Sequence, residues 1–239
     1  MFTYKGITSR QMGLGISHVI NYSSTSRGIE FLEISGRDGD IAIDKGGYST
    51  VLRDISVMLD GRDVSKSVEQ ISQEIGDWLL TDSGYNEFLW DSDPDFSYRA
   101  MFAGPFDTER ILSQFGKAIL TFRLHPVKYL ISEMPERSVS SGANIRNPFN
   151  ISAKPVLIIT GNGDITLTVG SQEIVLRGVD RGIILDSESQ TVLGHDRQRT
   201  QFDKMYTYPF PVLRPGNTTI AFPENVSVNI VTRIGALVT

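Results

Sequence analysis

Val156-Leu157-Ile158-Ile159-Thr160-Gly161-Asn162-Gly163-Asp164-Ile165-Thr166-Leu167-Thr168-Val169 is the stretch whose reading decides the fold. Two β-branched runs flank a Gly-Asn-Gly-Asp cluster, and Gly and Asn supply the positive φ that tight turns require. The expectation is a β-hairpin, the clearest in the chain. Residues 173–177 with 182–186, and 218–222 with 226–233, read as two further strand pairs. No helical period occurs after residue 130. Short strands broken by Gly, Asn and Asp at this spacing point to a sandwich or barrel.

Upstream, the grammar is mixed. Residues 28–35 alternate at Ile29 and Phe31, with Leu32 and Ile34 out of step. A turn follows at Gly36-Arg37-Asp38-Gly39-Asp40, Ile41 to Ile43 resumes the strand, and Gly46-Gly47 breaks it. Residues 50–59 form another strand before Asp60-Gly61. Val64, Val68, Ile71, Ile75, Trp78 and Leu79 then fall on one face at a period of 3.6 and predict an amphipathic helix. Its start is Ser67, with Gln70 completing a capping box, or Asp63. Residues 98–102 and 117–124 read as strands. Residues 133–155 are rich in Ser, Asn, Gly and Pro and mark the domain boundary. The expected fold is mainly β, with two sandwich-like domains at 1–135 and 136–239, the first carrying the helix.

Composition removes several function classes. The chain has 239 residues, no Cys and a net charge of −5. There is no disulfide framework, thiolate nucleophile or Cys-ligated metal. A pI near 5.3 gives no global footprint for nucleic acid. No apolar run reaches the roughly 18 residues of a spanning helix, and Met1-Phe2-Thr3-Tyr4-Lys5-Gly6 lacks the basic and apolar regions of a signal peptide. The expectation is a soluble protein made in a cytoplasm. The first 130 residues carry the whole excess of acid; Asp77, Asp82, Glu87, Asp91, Asp93 and Asp95 occur with no basic residue among them.

Candidate chemistry is sparse. Asp91-Ser92-Asp93-Pro94-Asp95 has the alternating oxygens of a calcium loop. Phe96 and Phe102 stand where that loop needs Gly and Glu, so a capped turn is the stronger reading. Asp38, Asp40 and Asp44 are spread apart by the strand between them. His18, His125 and His195 lie at no zinc spacing, and His195 and Asp196 point to opposite faces of an extended chain. Gly13-Leu14-Gly15 begins a dinucleotide fingerprint that His18 interrupts. GxSxG and GxxxxGK[ST] are absent. The sequons at Asn21, Asn150, Asn217 and Asn225 are read as chance. No cofactor or metal site and no catalytic residue is expected. The aromatic group Trp78, Tyr85, Phe88, Trp90, Phe96, Tyr98 and Phe102 reads first as core, second as subunit interface and third as a sugar platform.

Taken in order, several motifs resemble the distal tail protein family of long-tailed bacteriophages. They are Phe2-x-Tyr4-x-Gly6-Ile7, Met12-Gly13-Leu14 and Ser35-Gly36-Arg37-Asp38-Gly39, then Leu89-Trp90-Asp91 through Pro94-Asp95-Phe96-x-Tyr98-x-Ala100. In the second half they are Asn147-Pro148 before Pro155-x-Leu157-x-Ile159, Ile184-Leu185-Asp186-Ser187-Glu188, and Phe210-Pro211-x-Leu213-x-x-Gly216-Asn217-x-x-Ile220. The resemblance implies a ring of six subunits, a structural hub in the virion at the end of the tail tube. N-terminal belt domains close that ring, and a galectin-like C-terminal sandwich faces outward. Implied partners are further copies, the tail tube, tape-measure and tail-tip proteins, and receptor-binding proteins, with no nucleic acid and no membrane insertion.

A ring needs a heterologous interface, and an edge strand or hairpin can supply one. The candidate interface residues are Gly36, Arg37, Asp38 and Gly39 in the first hairpin. Tyr85, Trp90, Asp91, Asp93, Asp95 and Phe96 join them from an acidic, aromatic arm at 85–102. The alternative function is a carbohydrate-binding module acting through the C-terminal sandwich. Its aromatics are Phe149, Phe202, Tyr206, Tyr208, Phe210 and Phe222.

Overall fold

The computed structural model describes residues 1–19, 22–59, 68–104 and 117–239. The chain forms two compact units: Met1–Lys128 with Leu237–Thr239, and Tyr129–Ala236. The division comes at Lys128 rather than at the Pro-rich segment, and the last three residues return to the first unit.

The first unit holds β1 (Phe2–Tyr4), β2 (Ile7–Thr8), β3 (Leu14–Val19), β4 (Arg27–Leu32), β5 (Ile41–Tyr48) and β6 (Val51–Leu59). Helix α1 (Val68–Leu80), β7 (Asn86–Trp90), β8 (Phe96–Phe102) and β9 (Lys117–Leu124) follow. One antiparallel sheet runs β2-β1-β7-β8-β9-β6-β3, and β4 pairs with β5 in a ribbon of its own. α1 lays Ile75, Trp78 and Leu79 on the core, where Phe2, Tyr4, Phe88, Leu120 and Phe122 are also buried. The expected helix start, from Asp63, Val64 or Ser67, lies outside the described residues, as do the Asp60-Gly61 turn and the Asn21 sequon.

The core of this unit is aromatic. The Phe2 ring stacks on Trp78 at 5.9 Å, on Phe88 at 5.3 Å and on Trp90 at 6.3 Å, with Phe122 edge-on at 5.6 Å. The Trp78 indole N–H donates to the Tyr4 carbonyl at 3.0 Å, so the ring is buried with its one polar atom satisfied. Core packing is therefore the role of Trp78 and Phe88.

β10 (Val127–Leu130) leaves this unit for the second, which contains β11 (Arg137–Val139), β12 (Ala143–Asn147), β13 (Val156–Thr160), β14 (Gly163–Val169) and β15 (Gln172–Val179). It continues with β16 (Ile183–Asp186), β17 (Thr191–Gly194), β18 (Gly216–Ala221) and β19 (Ser227–Val231), and β20 (Gly235–Leu237) leads back. The sheets are β11-β19-β13-β16-β17 and β12-β18-β14-β15. Leu157, Ile159, Leu185 and Ile230 from the first sheet meet Ile165, Leu167, Ile174 and Ile220 from the second in one buried cluster. This is a β-sandwich with the period-2 burial its strands require.

The three expected strand pairs are not hairpins. β13 and β14 belong to different sheets, as do β15 and β16, and β18 and β19. At each of these turns the chain crosses the sandwich, because each pair of flanking runs places its apolar side chains on opposite walls of the same core. The close approach at Gly161 shows the consequence: a Cβ there would stand 3.1 Å from Ile165 Cδ1 and 3.3 Å from Val226 Cγ2. The crossings are tied together. Asn162 Oδ1 accepts the Arg181 N–H at 2.8 Å, and the Gly161 N–H donates to the Arg181 carbonyl at 3.3 Å. The local hairpins are β14–β15, turning where Val169 faces Gln172, and β16–β17.

Candidate functional site

β4 and β5 form an antiparallel ribbon with Ile29 opposite Asp44, Glu30 opposite Ile43, Phe31 opposite Ala42 and Leu32 opposite Ile41. Gly46-Gly47 does not end β5. Both residues take positive φ, 68° and 94°, and make a bulge opposite Gly28 within the strand. Residues opposite one another in an antiparallel pair share a face. Ile29, Phe31 and Ala42 therefore occupy one face, and Leu32, Ile41 and Ile43 the other. The out-of-step spacing at Leu32 is the sequence signature of this two-sided pattern.

The ribbon is exposed on both faces: Phe31 is 65% exposed, Leu32 47%, Ile29 43% and Ile43 42%. Its polar groups are satisfied locally. Arg27 pairs with Asp44, Lys45 lies 2.8 Å from Glu30, and the Ser49 amide donates to the Ser26 carbonyl at 2.8 Å. Gly36, Arg37, Asp38 and Gly39 sit at the exposed tip, where Gly36 and Gly39 have φ of 82° and 77°.

The second group of candidate residues occupies a different kind of place. Residues 85–102 are not a free arm. They contain the β7–β8 hairpin, which is built into the interior of the sheet between β1 and β9. Phe88 is buried there because its ring is part of the aromatic core. Trp90 is half-buried against Phe2 and Phe88. Tyr85 is exposed and meets the His125 ring edge-on at 5.9 Å.

The acidic turn at the end of this hairpin is partly neutralised from within its own unit. Asp91 lies 3.2 Å from the Met1 ammonium. Asp93 receives the Lys128 ammonium at 2.5 Å and the Tyr98 hydroxyl at 2.5 Å. Burial alone would raise the Asp93 pKa, but Lys128 and Tyr98 more than offset it and hold the carboxyl below its ordinary value. Burial, with the hydrogen bond to the Asp93 carboxylate and its charge, pushes the Tyr98 hydroxyl far up. Lys128 also lies 4.2 Å from the Phe96 ring centroid. Asp95 remains exposed. The two groups thus sit on separate elements, one at the tip of a ribbon and one at a sheet-borne turn.

Among the described residues, no group of three or more His, Asp or Glu is placed to hold a metal ion. Asp44 is engaged by Arg27, and Asp196 caps its own turn by accepting the Gln198 amide at 3.1 Å. His18 contacts Ser17, and His125 contacts Val127. No helix among these residues is long and apolar enough to cross a membrane. Lys128 carries no local sequence signal: its partners are assembled by tertiary packing.

No protein-family model and no curated protein matches the sequence. Solved structures do. The crystal structure of the SPP1 phage Dit protein, described as a paradigm of the hub adsorption apparatus in phages infecting Gram-positive bacteria, superposes with a TM-score of 0.67. The two share 14% identity, and the match covers 96% of each chain. The chain has the distal tail protein fold. The likeness extends over nearly the full length of both chains, although few residues are shared.

Proposed function

We propose that the chain is a non-enzymatic hub protein of a phage tail tip, acting in the virion by association with copies of itself. The observation that carries this reading is the end-to-end likeness of its fold to a hub protein of the adsorption apparatus. The β4–β5 ribbon supports it. An isolated two-stranded ribbon is marginal in water, and apolar residues on both faces are stabilised only when something covers them. A ring of six copies, joining the tail tube to the tip and host-adhesion proteins, would cover both faces. The ribbon tip at Gly36, Arg37, Asp38 and Gly39, the turn at Trp90, Asp91, Asp93, Asp95 and Phe96, and Tyr85 at the opposite end of the β7–β8 hairpin are the proposed contact points. A galectin-like character of the sandwich completes the proposal.

Mass photometry of the full chain, alone and with tail tube and tip proteins, tests it. A discrete oligomer in either condition is expected. A chain that stays monomeric in both overturns the reading.

One observation favours a second role, saccharide binding by the second unit. Phe202, Tyr206 and Tyr208 lie in one segment and are 52%, 65% and 75% exposed, while Arg177 stacks 5.2 Å from the Tyr206 ring centroid. Exposed aromatic faces are what sugar stacking uses. A glycan array probed with the full chain should show binding that Tyr206→Ala weakens at least tenfold; a blank array removes this role.

A further inference from the structure

Among the described residues, β4 and β5 pair only with each other, and none of their side chains joins either buried core. The direction of the ribbon is therefore set at its base. There, Thr25 Oγ1 donates to the Ser49 carbonyl at 2.6 Å and the Ser26 amide to Ser49 Oγ at 3.1 Å, so the incoming and outgoing legs are tied together. Two contacts, three residues apart, fasten the incoming leg to its own unit. The Tyr22 ring centroid lies 5.0 Å from the Arg53 guanidinium carbon, within reach of a cation–π attraction. The Thr25 amide donates to the Val238 carbonyl at 3.0 Å. Val238 is a fixed anchor: it is 1% exposed in the first core, and its own amide donates to the Pro126 carbonyl at 2.9 Å. Its neighbour Thr239 lines the same cavity, of about 170 Å³, as Tyr22 and Arg53.

We propose that Tyr22 on Arg53 and Thr25 on Val238 form a two-point clamp that sets the direction of the ribbon before it meets a second copy. One contact leaves the leg free to swivel about it; a second contact on the same leg removes that freedom. A ribbon presented in a single direction loses less conformational freedom on docking, so it binds more tightly with no added contact at the interface. Tyr22, Arg53 and Val238 thus act as positioning residues, each far from the ribbon tip. The benefit to assembly rests on the self-association proposed above, whereas the clamp itself does not.

The chain has no Cys, so Asp38→Cys at the ribbon tip and Ser83→Cys in the turn after α1 take a dye pair selectively. Single-molecule FRET at picomolar dilution reads one chain at a time, apart from any assembly. The expected result is one narrow population in the labelled chain, broadened about twofold in Tyr22→Ala and in Val238→Ala as other ribbon directions become populated. Tyr22→Phe keeps the ring and should stay narrow. A population already broad without Tyr22→Ala, or one left narrow by it, overturns the clamp. Tyr22 is 70% exposed and outside the core, so its variants decide this even if Val238→Ala fails to fold. Mass photometry of Tyr22→Ala without the labels then tests the purpose. Assembly at least tenfold weaker than wild type supports a clamp that prepares docking. Unchanged assembly with a broadened population overturns that purpose and leaves the clamp standing. A wild type that is monomeric yet narrow fails the self-association reading alone.

Discussion

Arg233 holds Asp186 with two nitrogens, Nη1 to Oδ1 at 2.6 Å and Nη2 to Oδ2 at 3.0 Å. Nη1 also lies 3.2 Å from Glu188 Oε2, and the Tyr129 hydroxyl donates to Glu188 Oε1 at 2.8 Å. Asp186 accepts the Glu188 and Ser189 amides besides, at 2.9 and 3.2 Å. The network pins the turn of the β16–β17 hairpin to the residues that follow β19.

Burial alone would raise the Asp186 pKa, but Arg233 and the two amides outweigh it and hold the carboxyl below the ordinary carboxylate value. A depressed native pKa contributes stability above the unfolded value and loses it as pH falls through the native one. Asp186→Asn should cost about 2–4 kcal/mol at pH 7, with the gap to wild type narrowing below pH 4. Urea unfolding at pH 3 and pH 7 checks both statements.

Lys128→Met should destabilise the first unit by about 1–3 kcal/mol, because it leaves Asp93 half-buried without its cation. The sign of the pH dependence reverses. Without Lys128, burial dominates the Asp93 pKa and raises it, so the variant should lose stability relative to wild type as pH rises through 4 to 6. Thermal melts across that range read the crossover.

Gly182 faces backbone rather than open space. A Cβ added there would stand 2.6 Å from the Ile159 carbonyl oxygen, an atom fixed in the centre of a sheet. Gly182→Ala should therefore cost about 1–3 kcal/mol, although it adds only a methyl group. Gly36→Ala, with nothing within 4 Å but a φ of 82°, should lose about 1 kcal/mol through backbone strain alone. Denaturant midpoints of the two variants distinguish clash from strain.

Phe31→Glu and Ile43→Lys alter exposed positions outside either core, so unfolding free energy should change by no more than about 0.5 kcal/mol. Assembly should fail in both, because the two substitutions charge opposite faces of the ribbon. Equal masses for wild type and variants in mass photometry would remove the ribbon from the interface.

Strand positions, the helix face and the turn residues were legible in the linear chain because each is a local property. Alternation, period and the preference of Gly and Asn for positive φ operate within a few residues. The two-sided apolar ribbon was visible too, in the out-of-step Leu32. Partner choice was not. Gly161-Asn162-Gly163-Asp164 satisfies the chemistry of a hairpin and of a crossing equally well, and burial of Leu157 and Ile159 against Ile165 and Leu167 selects the crossing. In the same way an acidic, aromatic stretch read as an arm became interior strands, because Phe2 and Phe122, distant in sequence, complete the aromatic core around Phe88. Lys128 meets Asp93 only once the sheet is assembled. Local conformational preference writes the elements into the chain; the demand that every apolar face be covered, met by residues far apart, decides which elements touch.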